Sequence, residues 1–315
     1  MKRPLVPLLF ASILATGAAI AQDFPAKPIT FLVPQAPGGG TDLSVRMVEA
    51  AASKNLRQRV VVVNRPGTAT LLQLTTSAPD GYTIAVASTG NTAALPHNPG
   101  VPYDRYDYVP VIQLTNVPSV MISPGSSPLK TVADIVAAAR KAAPGSLKVG
   151  TTALGTSSQF AAVLMERAYG IKFTYVPHKS NGEVATAILG GHLDLGSVDI
   201  SAAGPRIAAQ AVRGIGVYSD QRLADAPDLP TMLEQGVKGS MGFYNIVIVP
   251  KGTPERVISI LHDAFKKALE DPEVVEKARA ANIPIAYLGP VASREYMERS
   301  YELMGGLIRD LGLKK

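Results

Sequence analysis

Two stretches carry residues whose types and spacing could do chemistry. The first is Pro34-Gln35-Ala36-Pro37-Gly38-Gly39-Gly40-Thr41-Asp42, and the second is Gly150-Thr151-Thr152-Ala153-Leu154-Gly155-Thr156-Ser157-Ser158-Gln159. Each joins the carboxyl end of a short apolar run to the start of a helical pattern. The first backbone N–H groups of a helix have no partner inside the helix, and they sit at the positive end of its dipole. Glycine lets a ligand approach that backbone closely, and Thr and Ser add hydroxyl donors. The chemistry this favours is capture of a small anion, a carboxylate foremost. One such loop alone can equally be an ordinary tight connection; two, one in each half of the chain, weigh against that. Neither is a nucleotide motif. Gly38-Gly39-Gly40 has no Lys-Ser/Thr pair to cradle phosphates and lacks the dinucleotide glycine spacing.

Other chemistries are excluded or unsupported. The chain has no cysteine, so thiolate catalysis and Cys-held metal are impossible. His97, His178, His192 and His262 are too dispersed for a metal pair. No Gly-x-Ser-x-Gly nucleophile turn occurs, and neither Ser157 nor Ser158 has an evident base partner. Neither a catalytic residue nor a metal or cofactor is expected, and the chain reads as a non-enzyme. Net charge is +6, but its longest basic runs are pairs; aromatics are 6% and Trp is absent. That speaks against a nucleic-acid stripe or stacking platform. His97, His192 and His262 read as surface or helix-end residues. His178 ends a strand beside a helix start, where it either lines a cleft or faces solvent. Asp42 caps its helix, contacts a ligand, or does both. Arg65 could lock the first loop, and Lys179 solvates a surface.

The elements that must position these loops alternate along the chain. Residues 29–33, 60–63, 82–87, 109–115, 147–149, 173–176, 193–198, 214–218 and 243–249 read as strands. Residues 41–56, 131–141, 159–169, 183–189, 202–211, 254–270, 272–281 and 293–311 read as helices. Such alternation predicts an α/β chain with mainly parallel sheets flanked by helices, and 315 residues suffice for two domains. The helix at 293–311 is expected to pack over the first domain. The amino terminus reads as a leader. Lys2 and Arg3 precede an apolar stretch, and Ala19-Ile20-Ala21 fits cleavage after Ala21. A membrane anchor is disfavoured by the two prolines and the shortness of that stretch. Export without disulfides points to the periplasm.

The order of several short motifs resembles the Bug family, the TctC-like substrate-binding receptors of tripartite tricarboxylate transporters. The resemblance starts with the first loop, then Asn64-Arg65-Pro66-Gly67 and Ala78-Pro79-Asp80-Gly81-Tyr82. It continues through Val176-Pro177-His178-Lys179, Leu189-Gly190-Gly191-His192-Leu193-Asp194, Asp228-Leu229-Pro230-Thr231 and Val249-Pro250-Lys251-Gly252-Thr253-Pro254. It implies a two-domain Venus-flytrap of the type II periplasmic kind. Residues 22–122 with 245–315 would form one domain and 123–244 the other. A small dicarboxylate, amino acid or aromatic acid would be gripped in the cleft by backbone amides and hydroxyls. On this chain the ligand-binding positions would be Gln35, Gly38, Gly39, Thr41 and Asp42, with Ser88, Thr89 and Asn91, on one side. Thr152, Thr156, Ser157, Gln159, His178 and Asp199 would form the other. Hinge closure would deliver the ligand to membrane transporter subunits, and a monomer is expected. The chain departs from the family at His178-Lys179-Ser180, at Gly67-Thr68-Ala69-Thr70-Leu71, and at Tyr244, which replaces a Trp. The alternatives are an extracytoplasmic sensor feeding a signalling partner and, more remotely, an α/β hydrolase. A transcription regulator's effector domain would need a helix-turn-helix segment, where this chain has a leader.

Overall fold

A computed structural model describes residues 24–152 and 156–312. The leader through Ala21 and the tip Ala153-Leu154-Gly155 of the second loop lie outside the described residues.

Apolar runs rich in Val and Ile form the first sheet. β1 (Ile29–Val33), β2 (Val60–Asn64) and β3 (Thr83–Ala87) pair in parallel in the order β2-β1-β3. β9 (Gly242–Pro250) lies antiparallel beside β3, and β4 (Tyr108–Pro124) antiparallel beside β9. β10 (Ile285–Leu288) closes the other edge of β4. The second sheet repeats the plan. β5 (Lys148–Thr151), β6 (Thr174–Pro177) and β7 (Leu195–Asp199) are parallel in the order β6-β5-β7. β7 pairs antiparallel with β4, whose other edge takes β8 (Val212–Val217).

β4 therefore belongs to both sheets. Its residues as far as Pro118 pair with β9, and from Ser119 onward they pair with β7 and β8. The expected strand at 109–115 is thus only its first half; Pro118, which cannot donate to a ladder, lies where the strand passes from one sheet to the other. In the structure the ladder shifts register between Pro110 and Ile112, a bulge that accommodates the missing donor. Both sheets are mixed: three parallel strands each, crossed by antiparallel partners.

Helices cover both faces. α1 (Gly40–Leu56), α7 (Glu255–Leu269) and α8 (Pro272–Ala280) pack Val45, Val48, Phe265 and Val274 on one face of the first sheet. The other face carries α2 (Ala69–Thr75), a π-helical turn (Thr89–Ala94) followed by a short 3-10 turn (Leu95–His97), and the start of α9 (Pro290–Asp310). In the second sheet, α3 (Val132–Lys141) and α4 (Ser157–Tyr169) bury one face. α5 (Asn181–Leu189) and α6 (Ile200–Ala208) bury the other. α9 is not confined to the first unit as expected. Met297 packs with Leu32 and Tyr244 there, whereas Met304, Leu307 and Ile308 fill the second sheet's core beside Phe160 and Leu164. Among the described residues no helix is long and apolar enough to cross a membrane.

Candidate functional site

Strand direction sets where the loops go. β1 and β3 run the same way as β4, which leads into the second sheet, whereas β5, β6 and β7 run back toward the first. Hence the carboxyl ends of both parallel sets face the junction. Ligands of open α/β sheets bind at such ends.

The first loop is held by its own side chains. Asp42, 1% exposed, accepts from the Gly38 amide (2.8 Å), from Arg46 Nε (2.9 Å to Oδ2) and from Asn64 Nδ2 (2.8 Å). Its carboxylate is occupied in shaping the loop. Burial pushes that carboxyl up, but the hydrogen bonds from Arg46, Asn64 and Gly38 outweigh it and hold the group below the usual range. Asn64 also donates to the Gln35 carbonyl at 2.8 Å. Gln35 Oε1 accepts from the Thr41 amide at 2.9 Å. Gly38 has φ +83°, a conformation glycine adopts freely, and a Cβ on Gly39 would come within 2.6 Å of Gln35 Oε1. Among the described residues no acceptor meets the Gly40 and Asp42 amides at the start of α1. These are the donors that such a loop offers an anion.

The π-helical turn after β3 ties the first unit to the crossing. Ser88 and Asn91 cap each other, the Ser88 amide donating to Asn91 Oδ1 at 2.7 Å. Thr89 Oγ1 donates to the Gly242 carbonyl at 2.8 Å. Gly242 pairs with Pro118, and the next residue of β4, Ser119, pairs with Asp199. The turn and Asp199 therefore flank the point where the sheets exchange strands.

On the second side, Thr152, Thr156 and Ser158 form a triangle of hydroxyls with edges of 3.0, 3.1 and 3.3 Å. The Thr152 amide donates to Ser158 Oγ at 2.9 Å. Ser158, 1% exposed, is the residue the sequence reading passed over in favour of Ser157. Among the described residues the Ser157 hydroxyl joins none of these bonds. Gln159 is buried at the same helix start. His178 follows β6, its amide donating to the Thr151 carbonyl at 2.8 Å; its Nε2 is enclosed and meets no partner among the described residues. Asp199 ends β7 and accepts from Asn181 Nδ2 at 2.6 Å. Burial raises its carboxyl to about 6, with the Asn181 hydrogen bond pulling weakly the other way.

Asn64, Arg46, Ser158 and Asn181 were missed from sequence. Asn64 stands in the quoted Asn-Arg-Pro-Gly turn and Asn181 opens a helix, but their partners are 22 and 18 residues away. Arg65 remains at the turn: its amide donates to the Val33 carbonyl at 2.7 Å and its carbonyl accepts from Thr70 Oγ1. A groove of about 1810 Å³ runs beside β4, lined by Gln113, Asn116, Arg213, Ile283 and Tyr296. It includes none of the loop residues above.

Known proteins share this fold. The family model described as tripartite tricarboxylate transporter family receptor (TctC) matches residues 44–313. A protein of the tcbD-tcbE intergenic region of Pseudomonas sp. (strain P51) is 34% identical over 281 residues, 86% of this chain and 82% of its own. A TctC solute binding protein from Polaromonas superposes with a TM-score of 0.84 at 27% identity, covering 91% of this chain and 99% of that one. The R. palustris protein Rpa4515, solved with adipate, has a TM-score of 0.69 at 26% identity, covering 92% and 99%.

Proposed function

The chain belongs to the tripartite tricarboxylate transporter receptor family of solute-binding proteins, and from that premise we propose that it captures a small carboxylate between its two sheets. The observation that carries this reading is the start of α1, where Gly40 and Asp42 amides stand without acceptors at the mouth of a tightly braced loop. The hydroxyl triangle of Thr152, Thr156 and Ser158 at the start of α4 would close on the same ligand from the other side. Ser88, Thr89, Gln159, His178 and Asp199 would line the space between.

The magnitudes suffice. A micromolar ligand needs about 8 kcal/mol net, and each hydrogen bond to a charged group supplies about 1.5–3 kcal/mol. Four or five donors from two helix starts meet that after the cost of association. The solved relative with adipate makes dicarboxylates the first class to try. The two domains, 22–122 with 245–315 and 123–244, would hinge where β4 and β9 cross. The leader would be cleaved after Ala21 in the periplasm, and the closed form would be handed to membrane transporter subunits.

The test is a thermal-shift screen of refolded, ligand-stripped protein. Adipate, other mono- and dicarboxylates, aromatic acids and acidic amino acids would be compared with their amides. A ligand at 100 times its Kd adds about 2.7 kcal/mol, which shifts the midpoint by a few degrees for a chain of this size. A shift lost on amidation supports anion capture. Stabilisation by uncharged compounds alone would sink it.

A further inference from the structure

Between the crossing strands and the first loop runs a chain of buried polar side chains. Asn245 on β9 and Thr115 on β4 are register partners, and Ser44 lies one turn into α1. All three are fully buried, beside a core that includes Val45, Val111 and Leu114. Asn245 Nδ2 donates to Thr115 Oγ1 at 2.8 Å, Thr115 Oγ1 donates to Ser44 Oγ at 3.4 Å, and Ser44 Oγ donates to the Gly40 carbonyl at 2.9 Å.

Asn245 Nδ2 donates to the Thr115 oxygen, while Asn245 Oδ1 is buried and meets no partner among the described residues. The Thr115 hydroxyl keeps a proton for Ser44, across the longest link of the chain at 3.4 Å. The Gly40 carbonyl shares its peptide group with the Thr41 N–H, which in turn holds Gln35 Oε1 at 2.9 Å. Hydrogen bonds in series polarise one another, most strongly where water is excluded. Stability does not account for three polar side chains here, since apolar groups of the same shape can be as stable or better. What the chain adds is orientation of the first peptide of α1 relative to the crossing strands.

We propose that Asn245, Thr115 and Ser44 form a hydrogen-bonded relay that sets the start of α1, and through it Gln35, from the crossing of β4 and β9. They would be positioning residues for carboxylate capture, which rests on the function proposed above. Domain movement at the crossing would then alter the donors of the loop without moving the loop as a body.

The test compares wild type with Ser44→Ala, Thr115→Val, Thr115→Ser and the Ser44→Ala/Thr115→Val double variant. The readouts are the amide resonance of Thr41, the side-chain amide of Gln35, and adipate titration. Thr115→Val is expected to move both resonances in the same direction as Ser44→Ala. Thr115→Ser is expected to restore them, and the double variant to add nothing to Ser44→Ala. Adipate affinity should fall roughly three- to tenfold in both single variants. If Ser44→Ala moves the Thr41 resonance and Thr115→Val does not, the relay stops at Ser44 and the proposal is overturned. If the resonances move while adipate affinity stays unchanged, the positioning role is overturned. If the wild type ignores adipate, that counts against the ligand assignment, and the resonances alone decide the relay.

Discussion

Asp42 and Asp199 are both aspartates beside helix starts, and their surroundings drive them in opposite directions. Asp42 is buried among donors and held acidic. Asp199 is buried with one neutral partner and raised to about 6. The sign follows. Stability that Asp199 contributes is fully present below the ordinary aspartate pKa and is lost as pH rises through about 6. Its charge above that pH would also repel a carboxylate ligand. We expect affinity for a dicarboxylate to weaken by on the order of 1 kcal/mol, about fivefold, between pH 5 and 7.5. Asp199→Asn should flatten the profile, and calorimetry at several pH values checks it. A wild-type profile already flat would show that Asp199 does not face the ligand. At this scale the sequence was legible where the partner is local. Gly38 to Asp42 spell out a helix start, but Asp42 does not cap it: the N-cap of α1 is Gly39, without a side-chain cap, and Asp42 accepts from the Gly38 amide ahead of it. Asn64 as the partner of Asp42, and Asn181 as that of Asp199, could not be found, because a side chain's partner across 22 or 18 residues leaves no periodic trace.

Elements with strong periodicity were legible to within a few residues: α1, α3, α7 and β1 among them. Those missed share physical reasons. α2 is seven residues of mixed polarity. The π-helical turn is Thr-Gly-Asn-Thr-Ala-Ala, a composition that reads as loop. The second half of β4 lies behind Pro118, and β10 is only four residues on an edge. α9 was legible as a helix but not as a bridge, since one amphipathic stripe does not say how many cores it enters. Its later turns place Leu307, fully buried, in the second sheet's core. Leu307→Ala should therefore cost about 2–5 kcal/mol. Hydrogen exchange should show the loss first in α3 and α4, not in the first sheet. Loss confined to the strands of the first sheet would contradict the bridging packing.

For the whole molecule, three segments join the two units: β4, the return at Gly242, and α9. Arg167 on α4 pairs with Asp310 at the end of α9 at 3.3 Å, between half-exposed groups, a contact worth little by itself. The proposed closure would have to be accommodated by all three connections at once. Gly305 and Gly306 lie within the second packed end of α9, between Met304 and Leu307; a Cβ on Gly305 would come within 2.4 Å of His97. Small-angle scattering should show a smaller radius of gyration with saturating carboxylate than without. An unchanged radius under saturation would argue for a fixed cleft. The resemblance in the sequence, through the order of its motifs, made the two-sheet plan legible, but the sharing of β4 between sheets came only from the register.

The place of β9 has a consequence for how the chain is made. It lies between β3 and β4 in the first sheet, yet it is synthesised more than a hundred residues after them. The early strands cannot close their sheet until β9 arrives, and the second core waits longer still, for Leu307 and Ile308. A nascent chain of this order would stay open until its last helix had emerged. Were the leader read in the sequence to send the chain through a membrane as an extended thread, late completion would be an advantage: the topology would delay folding until translocation is almost finished.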